Sequence, residues 1–239
     1  MHLGSLLKKN QRLKALKEDD PEYKRVKELF EEGWLHPNKP LPAIRTIFKL
    51  LKTSDEMCDY RLYNSNIEAE VGGGVVVSGL FFHGTNRACT LGDTRTNNEL
   101  CNKKECNTCD YPWLIRCWQD RFSRFGPGIY TSACSSKADD YFKNVISPSK
   151  VQSRVLLLNA VVYGNPHKLY HTDASAGSLS RIQERGDSAY LFDYLWTARK
   201  RGEVEKAQVT TAKVRWQGVD ILTHRPYVHV DMYINHSHH

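Results

Sequence analysis

The chain has 239 residues, 40% of them hydrophobic and 26% charged, with 15 Gly and 9 Pro, a balance that supports a folded core and excludes a disordered or fibrous protein. No stretch approaches the ~18 uninterrupted apolar residues of a membrane-spanning helix, and the opening MHLGSLLKKNQRLK has too short an apolar run for a signal peptide; both predict an intracellular protein, nuclear or cytoplasmic, without a membrane partner. The net charge of +7 is spread along the chain: residues 1–60 carry 12 Lys and Arg against 10 Asp and Glu, residues 61–178 carry 13 against 10, and residues 179–239 carry 9 against 7. A dedicated nucleic-acid arm would concentrate that excess, so diffuse surface charge is the simpler reading.

In chain order, Leu3, Leu6, Leu7, Leu13 and Leu16 hint at a frayed amphipathic helix within residues 1–20. Asp20-Pro21 is a helix start, because aspartate caps the first free amides and proline suits the first turn. Val26, Leu29 and Phe30 mark its apolar face and Gly33 its end. Trp34 through Pro42 is a Pro-rich linker. Pro42 then opens a second predicted helix with Ile44, Ile47, Phe48 and Leu51 on one side. After Gly72-Gly73-Gly74 the texture changes to β-branched runs at Val75–Val77 with Leu80–Phe82, at Ile129–Thr131 and at Val155–Val162, and Tyr227–Ile234 alternates apolar and polar residues. The expectation is an α+β protein with a helical lead over residues 1–60, a domain over 61–239, and a polar, Cys-rich insertion over 86–118. The ending Asn235-His236-Ser237-His238-His239 reads as an exposed terminus.

The insertion holds Cys89-x11-Cys101-x4-Cys106-x2-Cys109. Four thiolates including one Cys-x-x-Cys pair can close a tetrahedral structural zinc site, and a loop poor in apolar residues needs such a staple to order itself. Cys117 is an alternative to Cys89, and reduced cysteines in a loop are the bland alternative to a site. Cys58 and Cys134 read as ordinary core or near-site thiols.

Two further strings flank the insertion. Phe82-His83-Gly84-Thr85 ends an apolar strand. Phe125-Gly126-Pro127-Gly128-Ile129-Tyr130-Thr131-Ser132 leads into Ser135-Ser136-Lys137-Ala138-Asp139-Asp140-Tyr141. Ser135 or Ser136 would cap a helix running through Tyr141. Glycines before a strand aromatic suggest backbone close to a ligand, and Tyr130 and Tyr141 could face each other across a flat ring.

In this order, with a Cys insertion between them, the strings resemble the catalytic domain of poly(ADP-ribose) polymerases, and more narrowly its fungal-type branch. The resemblance covers about residues 75–165 and implies a split antiparallel β-sandwich that binds NAD. It implies that His83 and Tyr130 are catalytic, and that His83, Gly84, Thr85, Tyr130, Ser136 and Tyr141 bind the dinucleotide. His83 would bond the adenosine ribose, the Gly84 backbone the nicotinamide carboxamide, and the two tyrosines would sandwich the nicotinamide ring. Tankyrase-like members carry a small zinc site in this domain, similar to the Cys89, Cys101, Cys106, Cys109 set.

The chain departs from that pattern twice. Ala138 stands where many members have a serine that donates to the nicotinamide amide, a loss of about 0.5–1.5 kcal/mol. The glutamate that completes the His-Tyr-Glu triad is not found in its usual strand string, and from about Leu179 onward the likeness ends. Glu184, Asp193, Glu203 and Glu205 are available acids without the expected strand context. The expected activity is therefore mono-ADP-ribosyl transfer from NAD to a protein or nucleic-acid acceptor. The alternatives are a catalytically inactive NAD-pocket module and a zinc-stabilised nucleic-acid binder.

Overall fold

The structure is a computed structural model that describes residues 13–52, 54–72, 78–101, 103–110, 129–145, 153–162, 166–169, 188–192, 209–214 and 228–237. It is a mixed α/β fold built on antiparallel sheet. Five strands, β1 (Leu13–Ala15), β2 (Ile44–Leu50), β3 (Ser78–Gly84), β7 (Ser153–Val162) and β11 (Val228–Ser237), form the main sheet in the order β1-β2-β11-β7-β3, with every pairing antiparallel. A second sheet runs β5 (Ile129–Thr131), β10 (Val209–Val214), β9 (Ser188–Phe192), β8 (Pro166–Leu169), and β4 (Asn86–Arg87) pairs in parallel with β6 (Lys143–Asn144).

Helix α1 (Pro21–Glu32) forms as its ends predict. The Asp20 carboxylate accepts the Glu22 amide at 2.8 Å, and Tyr23, Val26 and Phe30 turn into the core. Two other expectations are corrected. Leu13 lies in strand β1, opposite Leu50, and residues 1–12 of the expected amphipathic helix lie outside the described residues. The segment after Pro42 is strand β2, built into the main sheet, and not a second helix. Its apolar residues fit a helical spacing by count, but they divide between the two faces of a strand: Ile47 packs toward α1, while Phe48 and Leu50 pack toward the cysteine loop. β-branched Ile44, Thr46 and Ile47 favour that extended backbone.

Helix α2 (Ser54–Val71) has no sharp apolar stripe in its sequence. Nothing in it breaks a helix, and it docks through Ile67 onto Val162, with Tyr60, Tyr63 and Val71 around the contact. No helix among the described residues is long and apolar enough to cross a membrane.

The main sheet is buried on both faces, which explains the unbroken apolar run in β7. Leu156 and Leu158 face α1 with Phe30, Ile47, Met232 and Ile234, while Val155 and Leu157 face the cysteine loop with Phe48, Leu50, Ala88 and Leu91. Phe30 is fully buried, meeting Trp34 at a ring distance of 5.3 Å and Phe82 edge-on at 6.3 Å; enclosing such a side chain stabilises the fold by roughly 1.5–3 kcal/mol.

Candidate functional site

The flanking strings of the cysteine loop converge at the free edge of the main sheet. Strand β3 ends in His83 and Gly84, with His83 and Thr85 both buried. Just past β5, Ser132 exchanges two backbone hydrogen bonds with Phe82 of β3, at 2.7 and 2.8 Å. That pair joins the two sheets and sets the Tyr130 backbone, opposite Lys213 in the second sheet, alongside the end of β3.

Helix α4 (Ser135–Asp139) then packs against β3. A Cβ added at Gly84 would sit 1.9 Å from the Ala138 carbonyl oxygen and 3.3 Å from the Phe142 amide nitrogen. Only glycine permits this approach of strand to helix end. The Gly84 position thus welds two strings together whatever it offers a ligand. Gly33 serves the same end: a Cβ there would meet the Ala133 carbonyl oxygen at 2.8 Å and the Ser135 amide nitrogen at 3.0 Å, and its φ of −76° is ordinary helical backbone.

The serines of α4 do not cap it, which corrects the sequence expectation. Cys134 is the N-cap residue and its side chain makes no capping bond. Ser135 Oγ donates to the Phe30 carbonyl oxygen at 2.7 Å, and Ser136 Oγ accepts from the Leu35 and His36 amides, both at 3.1 Å. Both are fully buried and tie α4 to the end of α1. The helix stops at Asp139, so it does not run through Tyr141. Tyr141 sits in the following turn with its amide on the Ala138 carbonyl oxygen at 3.1 Å, and 65% of its surface is exposed beside the Gly84 contact.

Asp139 is the buried anion of this region. Its carboxylate contacts Arg154 Nε of β7 and lies 3.3 Å from His236 Nε2 of β11 and 3.8 Å from Lys39 Nζ. Burial alone would raise its pKa, but the adjoining His236 imidazole and the Arg154 guanidinium outweigh burial and hold the carboxyl below its ordinary value. His236 is buried against Phe30 and Trp34, at ring distances of 5.4 and 5.7 Å. This corrects the reading of Asn235–His239 as an exposed end, because Asn235–Ser237 belong to the central strand of the sheet; His238 and His239 lie outside the described residues. The apolar-polar alternation from Tyr227 onward is the signal, and it carries through to Ser237.

The cysteine loop covers the opposite face of the sheet. The thiol sulfurs of Cys89, Cys101, Cys106 and Cys109 all lie within 4.8 Å of one another, and Cys89 is 3.5 Å from both Cys106 and Cys109. Four sulfurs about 2.3 Å from a tetrahedral zinc would stand roughly 3.8 Å apart, so this cluster can hold a metal ion such as zinc. A short helix α3 (Asn107–Asp110) supplies the turn of the Cys-x-x-Cys pair, with the Cys109 amide on the Cys106 carbonyl oxygen at 3.1 Å. Hydrogen bonding with Cys109 and then Cys89, helped by the Ala88 and Cys109 backbone, holds the Cys106 thiol well below its ordinary pKa. Sharing those protons raises Cys89, to about 12, and Cys109 as well. Four sulfurs this close together compete for the same protons, a crowding that a divalent cation bound by thiolates relieves.

Arg87, which no motif in the sequence singles out, anchors this loop from within. Its guanidinium donates to the Leu91 carbonyl oxygen at 2.8 Å, Asn144 Oδ1 at 3.0 Å and the Ser153 carbonyl oxygen at 3.1 Å, and pairs with Asp93 at 3.0 Å. Of the remaining candidates, Cys134 is buried and Cys58 exposed. Cys117, Glu184, Asp193, Glu203 and Glu205 lie outside the described residues.

No protein-family model and no curated protein sequence matches this chain.

Proposed function

We propose that the chain is an NAD-dependent ADP-ribosyltransferase of mono-transferring type, on a split antiparallel β-sandwich. In this reaction the bond between nicotinamide and ribose breaks, nicotinamide leaves with the bonding electrons, and a nucleophile on a protein or nucleic-acid acceptor bonds to the ribose and gives up its proton. The observation that carries the proposal is the convergence at Gly84. The ends of the His83-Gly84-Thr85 and Ser135–Tyr141 strings touch there, and the Phe82–Ser132 pair brings the Tyr130 strand to the same edge. Three strings spread over some sixty residues of sequence meet in one place, as a binding site requires.

In this reading His83 bonds the adenosine ribose, the Gly84 backbone reads the carboxamide, and Tyr130 and Tyr141 stack on the nicotinamide ring. Thr85 lines the same strand end. Ser136 acts on the loop at Leu35–His36, where its hydroxyl is already engaged, and thereby fixes the helix that precedes Tyr141. An acid from the region after residue 179 stabilises the cationic ribose in the transition state. The metal of the Cys89, Cys101, Cys106 and Cys109 cluster is zinc in this account, and its role is to order the loop. Reduced thiols at this density agree with an intracellular setting, nuclear or cytoplasmic.

Adenylate-labelled NAD incubated with the zinc-loaded chain and a mixture of acceptor proteins tests the proposal. Label is expected to transfer with the wild type and not with His83→Ala or Tyr130→Ala. A second reading, an NAD-binding module without turnover, is favoured by one feature: Ala138 is buried without a hydroxyl to offer the amide. It predicts saturable NAD binding with no label transferred by any form.

A further inference from the structure

We infer that His236, in the last strand, is a positioning residue: with Arg154 it clamps Asp139 and so holds the end of α4, and with it Tyr141, against Gly84. The inference rests on the ADP-ribosyltransferase reading for what the clamp serves, but the clamp itself is read from the packing. Asp139 is the last residue of α4, one position after the Ala138 carbonyl that abuts Gly84 and two before Tyr141. Among the described residues, three basic side chains face its carboxylate: Arg154 from β7, His236 from β11, and Lys39 from the loop ahead of β2, which also pairs with Asp140. Arg154 further donates to the Asp139 and Phe142 carbonyl oxygens, so it spans the turn that carries Tyr141. Its guanidinium lies over the Phe142 ring at 4.9 Å.

His236 is held on several sides. Its ring packs against the touching pair Phe30 and Trp34, and its Nδ1 lies 3.1 Å from the Ser237 carbonyl oxygen while Nε2 faces Asp139. The imidazole therefore links the first helix, the central strand and the α4 string in one contact set. A hydrophobic side chain would fill the same space beside the rings. It would remove the Nε2 approach to Asp139 and with it one tie on α4.

The test uses the full zinc-loaded chain as wild type, as His236→Gln and as Asp139→Asn. The first variant leaves the Asp139–Arg154 pair in place, so it stands if the second fails to fold. Hydrogen exchange is followed across residues 132–145 and across the cysteine loop, and nicotinamide release is followed against NAD concentration. In folded variants, exchange over residues 135–142 is expected to quicken about tenfold while the cysteine loop keeps wild-type protection. The KM for NAD is expected to rise about tenfold with kcat changed much less, the signature of a displaced binding group. Unchanged exchange over 135–142 overturns the clamp. Faster exchange with an unmoved KM overturns the positioning role and leaves a stabilising contact only. If even the wild type releases no nicotinamide, the transferase reading fails and the positioning role for NAD fails with it, while the exchange data still decide the clamp.

Discussion

Replacing Gly84 by alanine tests the convergence on which the site is built. The new methyl would stand 1.9 Å from the Ala138 carbonyl oxygen and 2.9 Å from its carbon. To reach a contact of about 3.4 Å, the end of β3 and the end of α4 must part by about 1.5 Å. No side-chain rotation relieves this, because both obstructing atoms are backbone. Overpacking of this kind costs about 1–3 kcal/mol, and the absence of a rotatable neighbour places Gly84→Ala near 3. For a chain of this size each kcal/mol lowers Tm by about 2–4 °C, so a drop of about 6–12 °C is expected in thermal unfolding followed by circular dichroism. Nicotinamide release should fall with it when measured well below the new Tm, since Tyr141 follows directly on the displaced helix. A Tm within about 2 °C of wild type would refute the close approach and the argument drawn from it.

Four other outcomes follow from the same packing. The purified chain should carry one zinc per molecule, and chelation or Cys106→Ser should release it and lower Tm, as metal analysis and thermal melts would show; retention of full stability without metal would contradict the staple. Arg87→Ala should destabilise by about 3–5 kcal/mol in urea unfolding, because it removes the cation paired with buried Asp93 and the donor to the Leu91 carbonyl oxygen; a change under about 1 kcal/mol would contradict this. The lowered pKa of Asp139 makes its stabilisation complete above the ordinary carboxylate range and lost as pH falls through the folded value. Acid unfolding should therefore steepen below about pH 4 in the wild type and less so in Asp139→Asn, which a stability series across pH would reveal. Gly72, with φ at +97° and open space where a methyl would stand, should tolerate alanine at a cost of about 1–2 kcal/mol of backbone strain alone, a smaller Tm loss than at Gly84.

Strands β3, β5, β7 and β11 and the first helix are legible because their signals are local. Asp20-Pro21 fixes a helix start by capping chemistry, and Val155–Val162 reads as a strand from its β-branched and aliphatic run. The segment at Ile44–Leu50 misleads because a strand buried on both faces loses its alternation, and four apolar residues then match a helical spacing by count. Helix α2 shows no period because, among its described side chains, only Ile67 is buried. The cysteine cluster is legible from its Cys-x-x-Cys pair and nearby thiols, but spacing leaves Cys117 open as an alternative to Cys89, and it is the folded loop that brings Cys89 to the other three. His236 and Arg87 are not legible. Their importance lies in partners 97 and 66 positions away, Asp139 and Ser153, which only the folded sheet brings together. The roles of Ser135 and Ser136 escape the sequence for the same reason: each hydroxyl serves backbone about a hundred residues earlier.

The central claim is tested most directly by incubating the zinc-loaded chain with NAD and quantifying free nicotinamide, with Tyr130→Ala alongside. The account predicts steady release by the wild type and none above background by the variant. Release at equal rates by both forms, or by neither in folded, zinc-loaded samples, would contradict it.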